Sequence, residues 1–541
     1  MRNDDILIIG GGHNGLVCAC YLAAAGLRVT ILERRAIVGG AAVTEEFLPG
    51  FRNSTASYTV SLLQARIIED LRLHRHGLRI LPRPYSNFLP LEDNYLRTGA
   101  TLADTQREFA RFSARDAERL PEYLGMLAGV ADFLRPLLLE TPVNPFGGLR
   151  DIVRGVCLAA RFYKLPATTR AALLPLFTGS AGDLLEAWFE AEPIRALFGF
   201  DAIVGSFTSP YQSGSAYVLL HHLLGETNGR RGEWGHAVGG MGAIAQAMAK
   251  EAEARGVRIR LESPVAKVLA DKGRVNGVIL ESGESIPARA VVANVHPGLL
   301  YLRLIEPADL DPGFLARMRR YKSGSGSFRM NIALSELPRF SVAPGDDPAL
   351  EHLQSGILMA PSLQYMEQAW WDARRQGWSR EPVVEMLIPS TVDDTLAPPG
   401  EHVASLFCQH FNPVLPEGLS WDAVKEQAAD RIIATVDLHA PNFKRSILGR
   451  SILSPLDLER EFGLIGGDIF HGALSLDQLY SARPLPGIGQ YRGPLRNLYM
   501  CGSGTHPGGG VSGAPGYNAA REILRDLGRQ QTKAPGRTVG Y

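Results

Sequence analysis

Asp5–Arg34, DILIIGGGHNGLVCACYLAAAGLRVTILER, is the stretch that decides the fold. Ile6 to Ile9 form the short unbroken apolar run expected of a strand buried on both faces, and it ends in three glycines. Gly10, Gly12 and Gly15 give G-x-G-x-x-G, with Gly11 inside it: a tight turn, a close backbone approach to a pyrophosphate, and close packing of helix on strand. The spacing predicts a helix from Asn14 to Ala25, stopped at Gly26, and a second buried strand from Val29 to Leu32. Glu33 ends that strand about twenty residues past the glycines, where a carboxylate accepts bonds from both hydroxyls of an adenosine ribose; Arg34 follows it.

Two further motifs choose the dinucleotide. Gly39-Gly40-Ala41-Ala42 comes directly after the unit, and Cys501-Gly502-Ser-Gly-Thr-His506-Pro-Gly-Gly-Gly510-Val511 lies near the other terminus. A nicotinamide domain needs no such distant partner, whereas a flavin bound in an extended pose needs a second backbone wall beside its ring. The cofactor expected is therefore FAD. The fold class is α/β: a Rossmann-like FAD-binding domain carrying an inserted, mixed α+β substrate domain.

The remaining chain divides by pattern. Residues 1–60 make the first part of the FAD-binding domain, 233–299 the second, and 463–541 the third together with a frayed tail from Arg529. Residues 61–232 read as a helical layer. Residues 300–462 hold three strand patterns, Ser327 to Leu334, Val383 to Pro389 and His402 to Phe411, expected to roof a cavity. Residues 39–59 read as a loop. Val265 begins a small meander where backbone contact to an adenine edge is expected.

Composition excludes several classes. Lys plus Arg and Asp plus Glu are 56 each, so no overall field favours nucleic acid. Five cysteines are scattered without C-x-x-C, which argues against disulfide frameworks and dithiol chemistry, and no His/Cys/carboxylate spacing suggests a metal. With the first strand at the very start there is no room for a signal peptide, and no charge-free apolar run reaches membrane-spanning length. A cytoplasmic protein, free or in peripheral contact with a membrane, is expected.

The segments GGGHNGLV, GGAAVTEE, TSPYQSGSAYVLLHHLLG, IFHGALSLDQLYSARP and CGSGTHPGGGVSGAPGYNAA, spread over nearly the whole chain, resemble FAD-dependent oxidoreductases of the phytoene desaturase type, within the monoamine oxidase-like class. The resemblance implies bound FAD. The desaturase pattern carries Arg after the paired glycines where this chain has Ala41, which removes one charged contact.

The chemistry expected is hydride removal from an apolar, isoprenoid- or carotenoid-like substrate to flavin N5, with oxygen or a quinone as electron acceptor. An amine oxidase, or a flavoprotein acting mainly by binding and regulation, are the alternatives; no aromatic cage pair is evident for the former. A hydride acceptor needs geometry more than a nucleophile. His506 is the one candidate base by position, against a structural role fixing the glycine-rich turn, and the catalytic residue stays open. His471, Asp477 and Arg483 either line the cavity or hold their loop to the domain, the structural role being preferred, and His221 and His222 are read as core histidines of an apolar helix.

Overall fold

The computed structural model describes residues 4–83, 86–343 and 350–533. Its first sheet is built around Asp4–Ile9, which pairs in parallel with Val29–Leu32 on one side and Ser285–Ala293 on the other. Arg258–Arg260 extends the sheet beyond Val29–Leu32, and Leu498–Met500 pairs in parallel with Val291–Ala293. The carboxyl ends coincide. Gly10 N donates to Leu32 O at 2.8 Å, Asn294 N to Ile9 O at 2.8 Å and Cys501 N to Ala293 O at 2.9 Å. Residues almost 500 positions apart in sequence thus open onto one edge, where open α/β sheets bind ligands.

Side-chain alternation gives this sheet two cores. Ile6, Ile8, Ile31 and Val292 pack under the helices His13–Ala24, Gly242–Ala254 and Ala514–Lys533. Leu7, Ile9, Leu32 and Val291 pack with Leu300, Tyr301 and Phe314 on the other face. The strand Ser285–Ala293 serves two partners: its start pairs antiparallel with Arg274–Leu280, continuing the meander to Val265–Asp271, and its end joins the parallel sheet. The last helix begins at Ala514 and runs on to Lys533, past Gly528. The expected tail from Arg529 is helical that far, and 534–541 lie outside the described residues.

A second seven-stranded sheet runs in the order Ile447–Leu453, Phe328–Leu334, His402–Phe411, Trp378–Leu387, Gly356–Met359, Asn87–Pro90, Tyr95–Arg97. Two of these strands come from the segment read as a helical layer, so the two insertions share one sheet. Short runs with few β-branched residues carried no strand signal of their own; pairing to Gly356–Met359 creates them. Likewise 39–59 is not a plain loop: Thr44–Leu48 and Phe51–Ser54 form a hairpin.

One face of this second sheet is apolar. Phe328, Met330, Ile332, Met386, Leu406 and Cys408 pack with Trp421, Val424, Ala428 and Ile432 of the helix Trp421–His439. The other face carries Arg329, Asn331, Glu385, Ser405, Phe407 and Gln409, also buried. Those polar groups are tied to the rest of the chain: Asn53 Nδ2 donates to Asn331 Oδ1 at 3.1 Å, Asn331 Nδ2 to Ser54 O at 3.0 Å, and Gln409 Nε2 to Ile203 O at 2.6 Å. Buried polar groups need such partners, so this face fixes how the sheet sits on the hairpin.

Candidate functional site

The glycine loop is held by two devices. Gly10 has φ +97°, the left-handed region, and a Cβ on Gly15 would lie 2.4 Å from Gly10 O, so the helix approaches the strand as closely as backbone allows. Asn294, one residue past its strand, donates from Nδ2 to Gly10 O at 3.1 Å and Gly12 O at 3.3 Å. The paired glycines then dock on this loop: Gly39 N donates to Gly11 O at 2.9 Å, and a Cβ on Gly40 would come 3.2 Å from Gly12 Cα. Glu33 is buried, its Oε2 accepting from Gly11 N at 2.7 Å and its Oε1 from Arg35 N at 2.9 Å. Two of its four lone pairs are used, and the rest remain for a ligand hydroxyl.

These pieces line a single cavity of about 420 Å³. Gly10, Gly12, Asn14, Glu33, Arg34, Gly39, Gly40, Ala41 and Val265 contribute from the first sheet, Gly510 and Val511 from the far end. Gly11, Gly15, Ala42 and Gly502 do not line it; they support it from behind, Ala42 N donating to Gly39 O at 3.0 Å and Gly502 packing against Asn294. The inserted segments add Leu62, Val204 and Phe407, and these join Tyr58, Trp234, Ile469 and Phe470 in an apolar wall.

The site suits a dinucleotide on an independent ground. Four buried side-chain atoms in residues of the wall have no protein partner: His13 Nε2, Asn14 Oδ1, His222 Nε2 and His471 Nδ1. The helix His13–Ala24 has no side-chain N-cap and no acid in its first turn, leaving its terminal N–H groups and partial positive charge to an anion.

The histidines are neutral. Burial lowers His13 to about 4 and His222 to about 3, the latter helped by the neighbouring His221; His471 falls to about 3, from burial first and then His296. His222 therefore departs from the core role read for it, since its ring forms part of the wall.

His506 requires correction. It lies outside the cavity, buried, with Nε2 2.8 Å from Leu137 O and its ring edge-on to Tyr480. It anchors the glycine-rich turn to the helix Ala114–Leu138. Arg483 holds its loop as expected: fully buried, it donates to Phe470 O at 2.6 Å and Ser503 O at 3.0 Å, with further bonds to the carbonyls of Gly472, Ala473 and Gln478. Asp477 pairs with Lys322 at 2.8 Å. Among the described residues no cluster suited to a metal ion occurs.

Residues 15–524 match the family model for flavin containing amine oxidoreductase. The chain belongs to this family. As a flavin containing amine oxidoreductase family member it is an FAD-dependent oxidoreductase with the monoamine oxidase-like fold. It is 42% identical to rat pyridine nucleotide-disulfide oxidoreductase domain-containing protein 2, over 97% of this chain and 94% of that one. It is 28% identical to hydroxyneurosporene desaturase of Cereibacter sphaeroides, over 96% and 98% of the two chains. Cyclohexylamine oxidase from Brevibacterium oxydans shares the fold at a TM-score of 0.57 and 16% identity, covering 98% of this chain and 100% of that one.

Asn294, His13, His222, Tyr58, Phe407, Trp234 and Phe470 were not legible as site residues. Asn294 had one available signal, its place just past a buried parallel strand, where ligands of such sheets bind. The aromatic residues had none, because they come from four separate segments that meet only in the folded chain.

Proposed function

We propose that this FAD-dependent oxidoreductase desaturates an apolar, isoprenoid-like substrate, with oxygen or a quinone as the terminal electron acceptor. The observation that carries the reading is the wall formed by Leu62, Val204, Trp234, Phe407, Ile469 and Phe470, in which the imidazole of His222 is held neutral. A wall of this kind favours transfer of hydrocarbon from water, and the carboxylates that line the cavity, Glu33, Glu281 and Glu461, lie outside it. The relative named hydroxyneurosporene desaturase supports the substrate class.

In this reading Gly10, Gly12 and the start of the helix His13–Ala24 would hold the pyrophosphate of FAD, Glu33 its ribose, and Gly40, Ala41, Gly510 and Val511 its ring. FAD held there would supply the hydride acceptor, one half of a desaturation. The other half is loss of a proton from the adjacent carbon, whose electron pair becomes the new double bond. His222, whose ring forms part of the wall, is the residue that would take that proton in this reading.

Anaerobic spectroscopy tests this. Flavin absorbance of the purified protein should fall on adding a terpenoid or carotenoid precursor and stay constant with putrescine or cyclohexylamine. Reduction by the amines alone would replace the reading with an amine oxidase. Absence of reduction by any isoprenoid offered would instead point to a binding role.

A further inference from the structure

The helix Leu149–Tyr163 is amphipathic in the wrong direction. None of its fifteen residues is buried. Leu149 is 77% exposed, Ile152 61%, Val156 64% and Tyr163 70%, and Phe146, just before the helix, 75%. At 100° per residue these helix positions, with Val153, fall in an arc of about 100°. The basic positions Arg150, Arg154 and Arg161 fall in a separate arc about 120° round the helix.

A surface helix normally buries its apolar stripe and shows its charges to water. Here Asp151 accepts from Asn144 N at 3.1 Å and Gln490 Nε2 at 2.8 Å, Arg154 donates to Thr141 O, and Arg161 pairs with Glu140 at 2.9 Å. The polar side is fastened to the body of the protein and the apolar side faces out. A contiguous stripe of this kind is a contact surface.

Charge identifies what it contacts. Residues 149–170 contain Arg150, Arg154, Arg161, Lys164 and Arg170 against one acid, Asp151. Beside the helix a cleft of about 320 Å³ is lined by Arg150, Arg154, Arg521 and Arg525, with Glu140 and Thr141. Leu174, on the next helix Ala167–Thr178, adds another apolar side chain at 70% exposure. An apolar stripe with an arginine cleft at its flank fits the acyl boundary and phosphate headgroups of one surface.

We propose that the helix Leu149–Tyr163 lies in the interface of an anionic phospholipid bilayer, its apolar stripe among the acyl chains and the Arg150–Arg525 cleft on a headgroup phosphate. Among the described residues no helix is long and apolar enough to cross a membrane, so this attachment is of the surface kind.

Co-sedimentation of the full-length holoprotein with vesicles tests it. Phosphatidylcholine vesicles containing phosphatidylglycerol should pellet the protein, and pure phosphatidylcholine far less. I152D/V156D should lower binding about tenfold or more, because two buried apolar contacts are replaced by charges of the lipid's sign. Its flavin content and melting temperature should stay unchanged, since neither side chain packs inside. R521Q/R525Q should weaken the preference for anionic vesicles while leaving a residual apolar attachment. Wild-type protein that ignores both vesicle types, or I152D/V156D binding as the wild type does, would overturn the proposal. So would a wild-type dimer that I152D/V156D converts to monomer without any vesicle binding, which would assign the stripe to a second copy of the chain.

Discussion

Tyr58 stacks on Phe407 in the cavity wall, ring centroids 5.2 Å apart and planes 20° from parallel. Rings at that separation are in direct contact, so nothing enters between them. The pair is one continuous apolar face and not two jaws of a cage. Phe407→Ala should therefore raise KM for an apolar substrate about tenfold, with a smaller effect on kcat, since about 1.4 kcal/mol of uniform binding corresponds to that factor. Steady-state kinetics would check it; a fall confined to kcat would place Phe407 in a different role.

The same tyrosine supports a buried acid. Tyr58 Oη donates to Glu385, and the Arg329 guanidinium lies 4.6 Å from the Tyr58 ring centroid. Burial raises the Glu385 carboxyl despite Arg83, Tyr58 and Arg329. Tyr58→Phe keeps the stack and removes the donor, and should cost about 1–3 kcal/mol in urea unfolding, the penalty of an unsatisfied buried acceptor. An unchanged midpoint would show that water replaces the hydroxyl.

Removal of space at the glycine loop should abolish cofactor retention. In Gly15→Ala the new Cβ meets Gly10 O at 2.4 Å, and Gly10 cannot retreat because Asn294 holds it. The purified variant should lack visible flavin absorbance. Glu33→Ala leaves the Gly11 and Arg35 amides unpaired, and a loss of about 1–3 kcal/mol corresponds to roughly 10- to 100-fold weaker FAD binding, measurable by fluorescence titration.

Two histidines should separate cleanly. His222→Ala should lower turnover about a hundredfold with FAD still bound, the usual effect of deleting a proton acceptor. His506→Ala should cost about 1–3 kcal/mol of stability by freeing buried Leu137 O, with turnover per folded molecule close to wild type. Equal loss of turnover in both would remove the distinction.

Acid should destabilise the protein well above the carboxylate range. Six buried histidines, His13, His221, His222, His296, His410 and His506, have their pKa values lowered by burial, to about 4 for His13, His221 and His506 and about 3 for the others. Above pH of about 6.5 both folded and unfolded imidazoles are neutral, and the contribution is constant. As pH falls from there toward 4, the unfolded chain binds protons that the folded chain refuses, so stability is lost. Urea midpoints between pH 7 and pH 5 should fall steeply; a flat profile would contradict neutral burial.

The strand, glycines, helix and acid of residues 5–34 were legible because short-range sterics and periodicity fix them: only glycine supplies φ +97° at position 10, and an unbroken apolar run fits only a strand covered on both faces. The paired glycines and the distant C-terminal motif were legible as a set for the same reason, each being a place where backbone meets backbone. What the sequence settled by itself was thus the nucleotide half of the site. The apolar half belongs to the tertiary structure. Tyr58, Val204, His222, Phe407 and Phe470 lie on segments with ordinary core patterns, and whether such a side chain faces a core or a cavity depends on which sheet its neighbours join. Pairing across hundreds of residues made that choice: Asn87–Pro90 joined the second sheet, His506 turned inward to Leu137, and His222 was left lining the cavity.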